Sequence, residues 1–420
     1  MKDGYYKLTE YSNSENIFRD EGGNLHLNVK NKNLYQNMED VIGDIDEDTL
    51  LIDGQYKHPT LMVLNNNLCH KLLKNQSLVP LSLNSAPQYS AIYRFLSDET
   101  GTILLSNNKK SDRHRRLVSS LKVLFGRTVV ESRLSYLDEE IGVKLDEIVN
   151  FSEIDFSELC SDVAKNIASR DFSISSDERN IVFENLLSIN DALAVDPRPR
   201  MLEIETSLSK LFEFFDRKIV EVDACNQNNF LKKMINEMRS NGFDLTDVST
   251  QTIALLAASI ETTESAVSAT ATSLIQNPEY LDFAITNEEN MKICMHEAMR
   301  YWGVLTDHPL VALEDFQIDN LFVKSGQIVI VSLLGAGRDE RTFNDQGKFI
   351  VPRKNLNSSL SYGTGPHTCL GRHQADLVGP KILSRFFSKY SVSISSKSNP
   401  LFSYGYKIRK WNLILNCQSR

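Results

Sequence analysis

Residues 362–371 read Tyr-Gly-Thr-Gly-Pro-His-Thr-Cys-Leu-Gly, so Cys369 follows Gly363, Gly365 and His367 and precedes Gly371 by two positions. With 19 Gly, 8 His and 6 Cys in 420 residues, the spacing G-x-G-x-H-x-C-x-G arises by chance in about 1 of 100,000 such chains. It is therefore the strongest chemical signal in the chain. Gly363 and Gly365 permit positive φ in a tight turn, and Gly371 removes a Cβ where a helix would begin. A thiolate at a helix N-terminus gains from the dipole and from free backbone N–H groups. The implied chemistry is a thiolate held where backbone comes very close to something flat. The competing reading is an inert, buried cysteine in a glycine-rich turn.

Two more groupings could do chemical or structural work. The segment 251–275 lacks Pro and Gly and reads as one long helix; it carries Ala257, Ala258, Ser259, Ile260, Glu261, Thr262 and Thr263. A mid-helix hydroxyl can bond the carbonyl four residues back and open the ladder, leaving a loosened turn. Taken alone, Glu261 and Thr262 read equally well as an exposed acid beside a packed threonine. Glu297 and Arg300 form E-x-x-R, opposite charges at i, i+3 on one helical face. Such pairs recur by chance, so position in the chain decides their weight.

The elements that must hold these residues are mostly helical. From about 110 to 305 the pattern is helix-rich. Leu208, Leu211, Phe212, Phe215 and Ile219 fall on one helical face, which is core or the roof of a ligand pocket. Residues 25–64 read as short strands, notably 49–52 and 60–64 with Asp53-Gly54 turn chemistry between them, and strands are expected again at 327–334, 392–394 and 413–415. The fold class is mostly α with small β-sheets. The six cysteines (69, 160, 225, 294, 369, 417) show no CxxC spacing, so neither a zinc site nor a disulfide framework is indicated. Five of them read as small buried hydrophobes. A net charge of −9 argues against nucleic acid as a general partner. The polar N-terminus lacks signal-peptide regions, and no apolar run approaches the ~18 residues of a membrane span. A cytoplasmic protein without a membrane anchor is expected.

The Cys369 segment resembles the haem-binding loop of the cytochrome P-450 family, in the soluble, bacterial-type branch. The resemblance spans nearly the whole chain and implies that fold as a single haem-centred domain over residues 1–420, in place of the ~2–3 domains that length suggests. It implies haem b, with Cys369 the axial iron ligand and Gly363 and Gly371 framing the cofactor. It makes Glu261 and Thr262 the acid and hydroxyl that support proton delivery to iron-bound oxygen. Ser259 departs from the family's usual glycine; it would bond the Leu255 carbonyl, hold a water or touch substrate. Ala258, Ser259 and Leu310 are the candidate oxygen or substrate contacts. Glu297 and Arg300 become a buried ion pair supporting the Cys loop, with Lys348 standing where the family has a third, arginine partner. For the haem propionates the family uses H-x-x-x-R, matched here by Arg115, with Ser111 replacing the histidine. Leu310 stands where another propionate arginine is expected. His367 matches, and His308 is the candidate substitute.

The implied activity is that of a haem-thiolate monooxygenase, inserting oxygen from O2 into a small, largely apolar molecule in a biosynthetic pathway. Electrons would come from NAD(P)H through a ferredoxin reductase and a ferredoxin, docking near Arg113, Arg116, Lys122, Arg372 and Lys381. Oxidative phenol coupling is the alternative within the class. A non-catalytic haem sensor or recruitment module is the alternative outside it, and the Glu261–Thr262 pair speaks for the enzyme. Residues 82–108, 306–311 and 404–411 would line the pocket.

Overall fold

The computed structural model describes residues 17–19, 25–28, 48–53, 60–80, 90–97, 100–104, 112–148, 151–192, 200–225, 228–400 and 410–419. Ser111, residues 404–409 and much of 82–108 therefore lie outside the described residues. The described residues fall into two compact units. One draws on the described residues within 1–81 and 296–368, the other on those within 82–295, 369–401 and 410–419.

The first unit is built on a seven-stranded sheet. Its strands are β1 (Ile17–Arg19), β2 (Leu25–Asn28), β3 (Thr49–Asp53), β4 (Thr60–Val63), β5 (Leu78–Pro80), β7 (Asp307–Ala312) and β10 (Ile328–Ser332). The order is β1-β2-β3-β4-β10-β7-β5. Every residue of β4 and β10 is buried, so the strand expected at 327–334 from an alternating, β-branched pattern has no solvent-facing side. Strand β7 runs antiparallel to β10, with His308 opposite Val331 and Leu310 opposite Val329. Side chains alternate along a strand, so His308 and Leu310 share one face of β7.

The second unit is organised by the helix Leu245–Gln276, 32 residues long. It begins earlier than the apolar pattern suggests because Asp244 and Asp247 form a capping box: the Asp247 N–H donates to Asp244 Oδ1 at 2.8 Å and the Asp244 N–H to Asp247 Oδ2 at 3.3 Å. Against it pack the helices Phe156–Asp171, Met201–Ala224 and Arg372–Lys389. The face predicted from periodicity is core: Leu208, Leu211, Phe212, Phe215 and Ile219 are all buried. The helix Arg372–Lys389 approaches closely at Gly379, where a Cβ would stand 2.5 Å from Met295 Sδ and 3.4 Å from Val267 Cγ2. A three-stranded sheet, order β11 (Tyr390–Ile394), β12 (Ile414–Ser419), β6 (Glu153–Asp155), completes this unit.

One expectation changes. Cys69, Cys160 and Cys294 are buried, but Cys225 is exposed and Cys417 partly so; helix ends and edge positions do not enclose a side chain as the core does. All six are free thiols. Among the described residues no helix is long and apolar enough to cross a membrane.

Candidate functional site

The Cys loop is shaped by two left-handed glycines. Gly363 has φ +64° and Gly365 φ +77°, conformations that side chains with a Cβ resist. At Gly365 space forbids a side chain too, since a Cβ would lie 2.6 Å from the Leu73 carbonyl oxygen. A single 3-10 turn, Gly365–His367, follows. Thr368 closes it by donating its N–H (3.2 Å) and its hydroxyl (2.8 Å) to the Gly365 carbonyl. Gly371 then caps the helix Arg372–Lys389, which leaves Cys369 just before a helix N-terminus. A Cβ on Gly371 would stand 3.9 Å from Cys369 Sγ, so the glycine keeps the sulfur uncovered on that side.

The electrostatics correct one expectation. Backbone N–H groups of Gly371 and Arg372 do favour the thiolate, but burial outweighs them and holds the Cys369 thiol above its ordinary value. The residue's surface is exposed, while the chain around the sulfur removes enough water for burial to lead. The helix end alone therefore does not ionise this cysteine. A metal cation would, because a coordinating thiol loses its proton outright.

The helix Leu245–Gln276 supplies the second set of groups. Thr262 Oγ1 donates to the Ala258 carbonyl at 2.5 Å and Thr263 Oγ1 to the Ser259 carbonyl at 2.6 Å. The predicted back-bond of Thr262 is thus present, but the helix continues unbroken through it, so the expected loosened turn is absent. Ser259 donates to the carbonyl of Leu256 at 3.1 Å, not to that of Leu255; its short side chain reaches the carbonyl three residues back. Glu261 lies near Lys410, 3.9 Å from Oε1 to Nζ, with 15% of its side chain exposed.

The E-x-x-R pair is buried and doubly bonded. Arg300 Nε and Nη2 reach Glu297 Oε2 and Oε1, each at 2.7 Å, and both side chains are fully inaccessible. The remaining guanidinium protons go to the carbonyls of Gly337, Gln346 and Lys348. The third partner is not Lys348, whose Nζ turns outward to Asp345 at 2.8 Å. It is Arg353, whose Nε donates to Glu297 Oε1 at 2.9 Å from a side chain only 6% exposed. A lysine five residues early in the segment cannot supply the fork that Glu297 receives. Arg353→Ala should therefore lower stability by about 1.5–3 kcal/mol, the worth of a charge-assisted bond. Lys348→Ala should leave the denaturation midpoint unmoved; urea titrations of the two variants check both.

The residues expected at the propionates divide. His308 and His367 come together, ring centroids 6.5 Å apart. Burial lowers His308 to about 4, so it offers a neutral N–H rather than a positive charge. Leu310 is buried on the same strand face and carries no polar group. Arg115 sits at the surface, 84% exposed and paired with Asp112 at 2.5 Å. Of the cations expected to meet an electron donor, Arg113 is bound to Asp247 (2.8 Å) and to the carbonyls of Thr100 and Gly101. Lys381 is bound to Asp138 and Glu288. Both are withdrawn from that role. Arg116 and Arg372 keep 40% and 51% of their side chains exposed, and Lys122 is exposed. Sequence reasoning missed Arg353 and the buried Glu264, which lies one helical turn beyond Glu261.

The chain thus carries a glycine-cradled cysteine at a helix start, an acid–hydroxyl pair on a long helix and a buried E-x-x-R triad, the set that a haem-thiolate protein needs. The family model for Cytochrome P450 matches residues 23–409, across both units, and the chain belongs to that family. It is a monooxygenase carrying a haem-thiolate cofactor. The biotin biosynthesis cytochrome P450 of Bacillus subtilis is 23% identical over 324 residues, 76% of this chain and 81% of the relative. The 20-oxo-5-O-mycaminosyltylactone 23-monooxygenase of Streptomyces fradiae is 28% identical over 170 residues, 40% of each protein. Among solved structures, P450BioI in complex with a hexadec-9Z-enoic acid-ligated acyl carrier protein superposes with a TM-score of 0.82 at 20% identity, covering 92% of this chain and 99% of that one. CxnD, an enzyme for C–S bond formation in chuangxinmycin biosynthesis, gives 0.77 at 20% identity, with 88% and 91% covered. At these identities the structural likeness shows the fold.

Proposed function

We propose that this P450 inserts oxygen into a small, largely apolar molecule within a biosynthetic pathway of the cytoplasm, drawing electrons from NAD(P)H through a separate ferredoxin and its reductase. The observation that carries the reading is the Glu261–Thr262 pair, with Thr262 back-bonded in the long helix. When bound through Cys369, haem supplies a redox-active iron whose thiolate ligand favours O–O cleavage. Gly363 and Gly365 fix the loop that presents the sulfur, and Gly371 leaves it uncovered. His367 and His308, whose rings lie 6.5 Å apart, would hold the haem propionates by N–H donation. Arg115, paired here only with the exposed Asp112, a partner of little worth, would add its charge to that hold.

At rest the Thr262 hydroxyl proton is committed to the Ala258 carbonyl. Its oxygen lone pairs would remain able to accept a further hydrogen bond. Glu261, partly exposed, exchanges protons with solvent. The biosynthetic assignments of the biotin and chuangxinmycin relatives support a tailoring step. Arg116, Lys122 and Arg372, exposed on a chain of net charge −9, suit an acidic ferredoxin.

Thr262→Ala should retain haem yet divert electrons to hydrogen peroxide. The check is peroxide and product measured per NADPH consumed, driven by a plant-type ferredoxin and its reductase, with a compound that shifts the haem spin state. Unchanged product per NADPH would remove Thr262 from the mechanism and leave Ser259 as the hydroxyl to test.

A further inference from the structure

Glu264 is a buried carboxyl that the reading above does not use. It lies three residues after Glu261 and four before Ser268, so the three share one stripe of the helix Leu245–Gln276. Only 9% of Glu264 is exposed. Its partners are hydroxyls: Ser268 Oγ donates to Oε1 at 3.3 Å, and Ser157, from the facing helix Phe156–Asp171, also bonds the carboxyl. Ser157 and Ser268 are 3.2 Å apart, and the Leu413 N–H donates to Ser157 Oγ at 3.0 Å. Among the described residues no ion pair reaches Glu264. The nearby cation, Lys410, stands at Glu261 instead. The titratable groups facing Glu264 are thus Glu261 and Lys410, with the buried thiol of Cys160 across on the facing helix.

This is an arrangement for holding a proton. A buried carboxylate without a cation is costly, whereas a carboxylic acid among hydroxyls is satisfied as donor and acceptor. Hydroxyls rotate, so Ser157 and Ser268 can serve either protonation state. Burial accordingly raises Glu264 to about 7, and the neighbouring charge of Glu261 adds to the rise.

We propose that Glu264 is a positioning residue for the oxygen-side acid, storing a proton that it exchanges with Glu261, one turn back on the same stripe. Loading breaks an O–H bond on Glu261 and forms one on Glu264; delivery reverses this, and solvent reaching Glu261 past Lys410 restores the proton. No electron moves in either direction. The inference rests on the monooxygenase reading of Glu261 and Thr262.

The test uses full-length, haem-loaded protein as wild type, Glu264→Gln, Glu264→Asp and Glu261→Gln. Infrared difference spectra against pH should show a protonated carboxyl in the wild type that ionises near pH 7. Glu264→Gln should remove it, and Glu261→Gln should move its midpoint to lower pH by taking away the neighbouring charge. NADPH oxidation driven by a plant-type ferredoxin and reductase should slow in the wild type as pH rises through that midpoint, because the store empties. Glu264→Gln should lose this inflection and Glu264→Asp should restore one. A merely structural Glu264 would alter unfolding but leave the inflection and the Glu261 coupling untouched. An infrared midpoint indifferent to Glu261→Gln, or an inflection surviving in Glu264→Gln, overturns the proposal. A thiolate-type ferrous–carbonyl spectrum in every variant keeps that failure distinct from failure of the haem-thiolate reading.

Discussion

Cys369→Ala should abolish turnover and remove the thiolate signature of the ferrous–carbonyl complex, while leaving the fold intact. Cys369 is exposed and makes no bond on which the core depends. Its loop is held instead by Gly363, Gly365 and the Thr368–Gly365 bonds. The effect on haem should be large, because Cys369 alone among the six stands just before a helix N-terminus in a glycine-framed loop. Cys69, Cys160 and Cys294 are sealed in packed interiors, where burial raises the thiols of Cys69 and Cys160 well above the ordinary range. Turnover under the ferredoxin system and haem content by pyridine haemochrome check the expectation. If the variant keeps wild-type turnover, another cysteine holds the iron.

Glu297→Ala should be the most destabilising substitution in the first unit. It strands two guanidinium groups, Arg300 at 0% and Arg353 at 6% side-chain exposure, and it takes the acceptor from the Ile350 N–H, now 3.0 Å from Glu297 Oε1. Breaking a buried pair by removing one partner costs about 3–5 kcal/mol, because the surviving charge is left without compensation. Here two charges survive, so the loss should reach at least that range. Urea denaturation of the haem-loaded protein measures it. A loss below about 1 kcal/mol would mean that the carbonyls of Gly337, Gln346 and Lys348 satisfy Arg300 unaided.

What could be read from the sequence was whatever local spacing encodes. The Cys loop was legible because left-handed turns demand glycine, and Gly363 and Gly365 bear that out. The long helix was legible because nothing in 251–275 interrupts it. Its true start was missed because a capping box is a bond between two aspartates, Asp244 and Asp247, outside the apolar pattern. Arg353 was missed because Glu297 lies 56 residues away in sequence, and only the folded meander decides which cation turns inward. The withdrawal of Arg113 and Lys381 into ion pairs is likewise tertiary. So is the burial of Glu264, which depends on Ser157 from another helix; the spacing of Glu261, Glu264 and Ser268 on one stripe was the signal available.

The central claim is that a thiolate from this chain holds a haem iron. The most direct measurement is the absorption spectrum of the full-length wild-type protein, reduced with dithionite and bound to carbon monoxide. The account predicts the strongly red-shifted Soret band of a thiolate-ligated ferrous carbonyl. A band at the position of an imidazole-ligated carbonyl, or purified protein that takes up no haem, would contradict it.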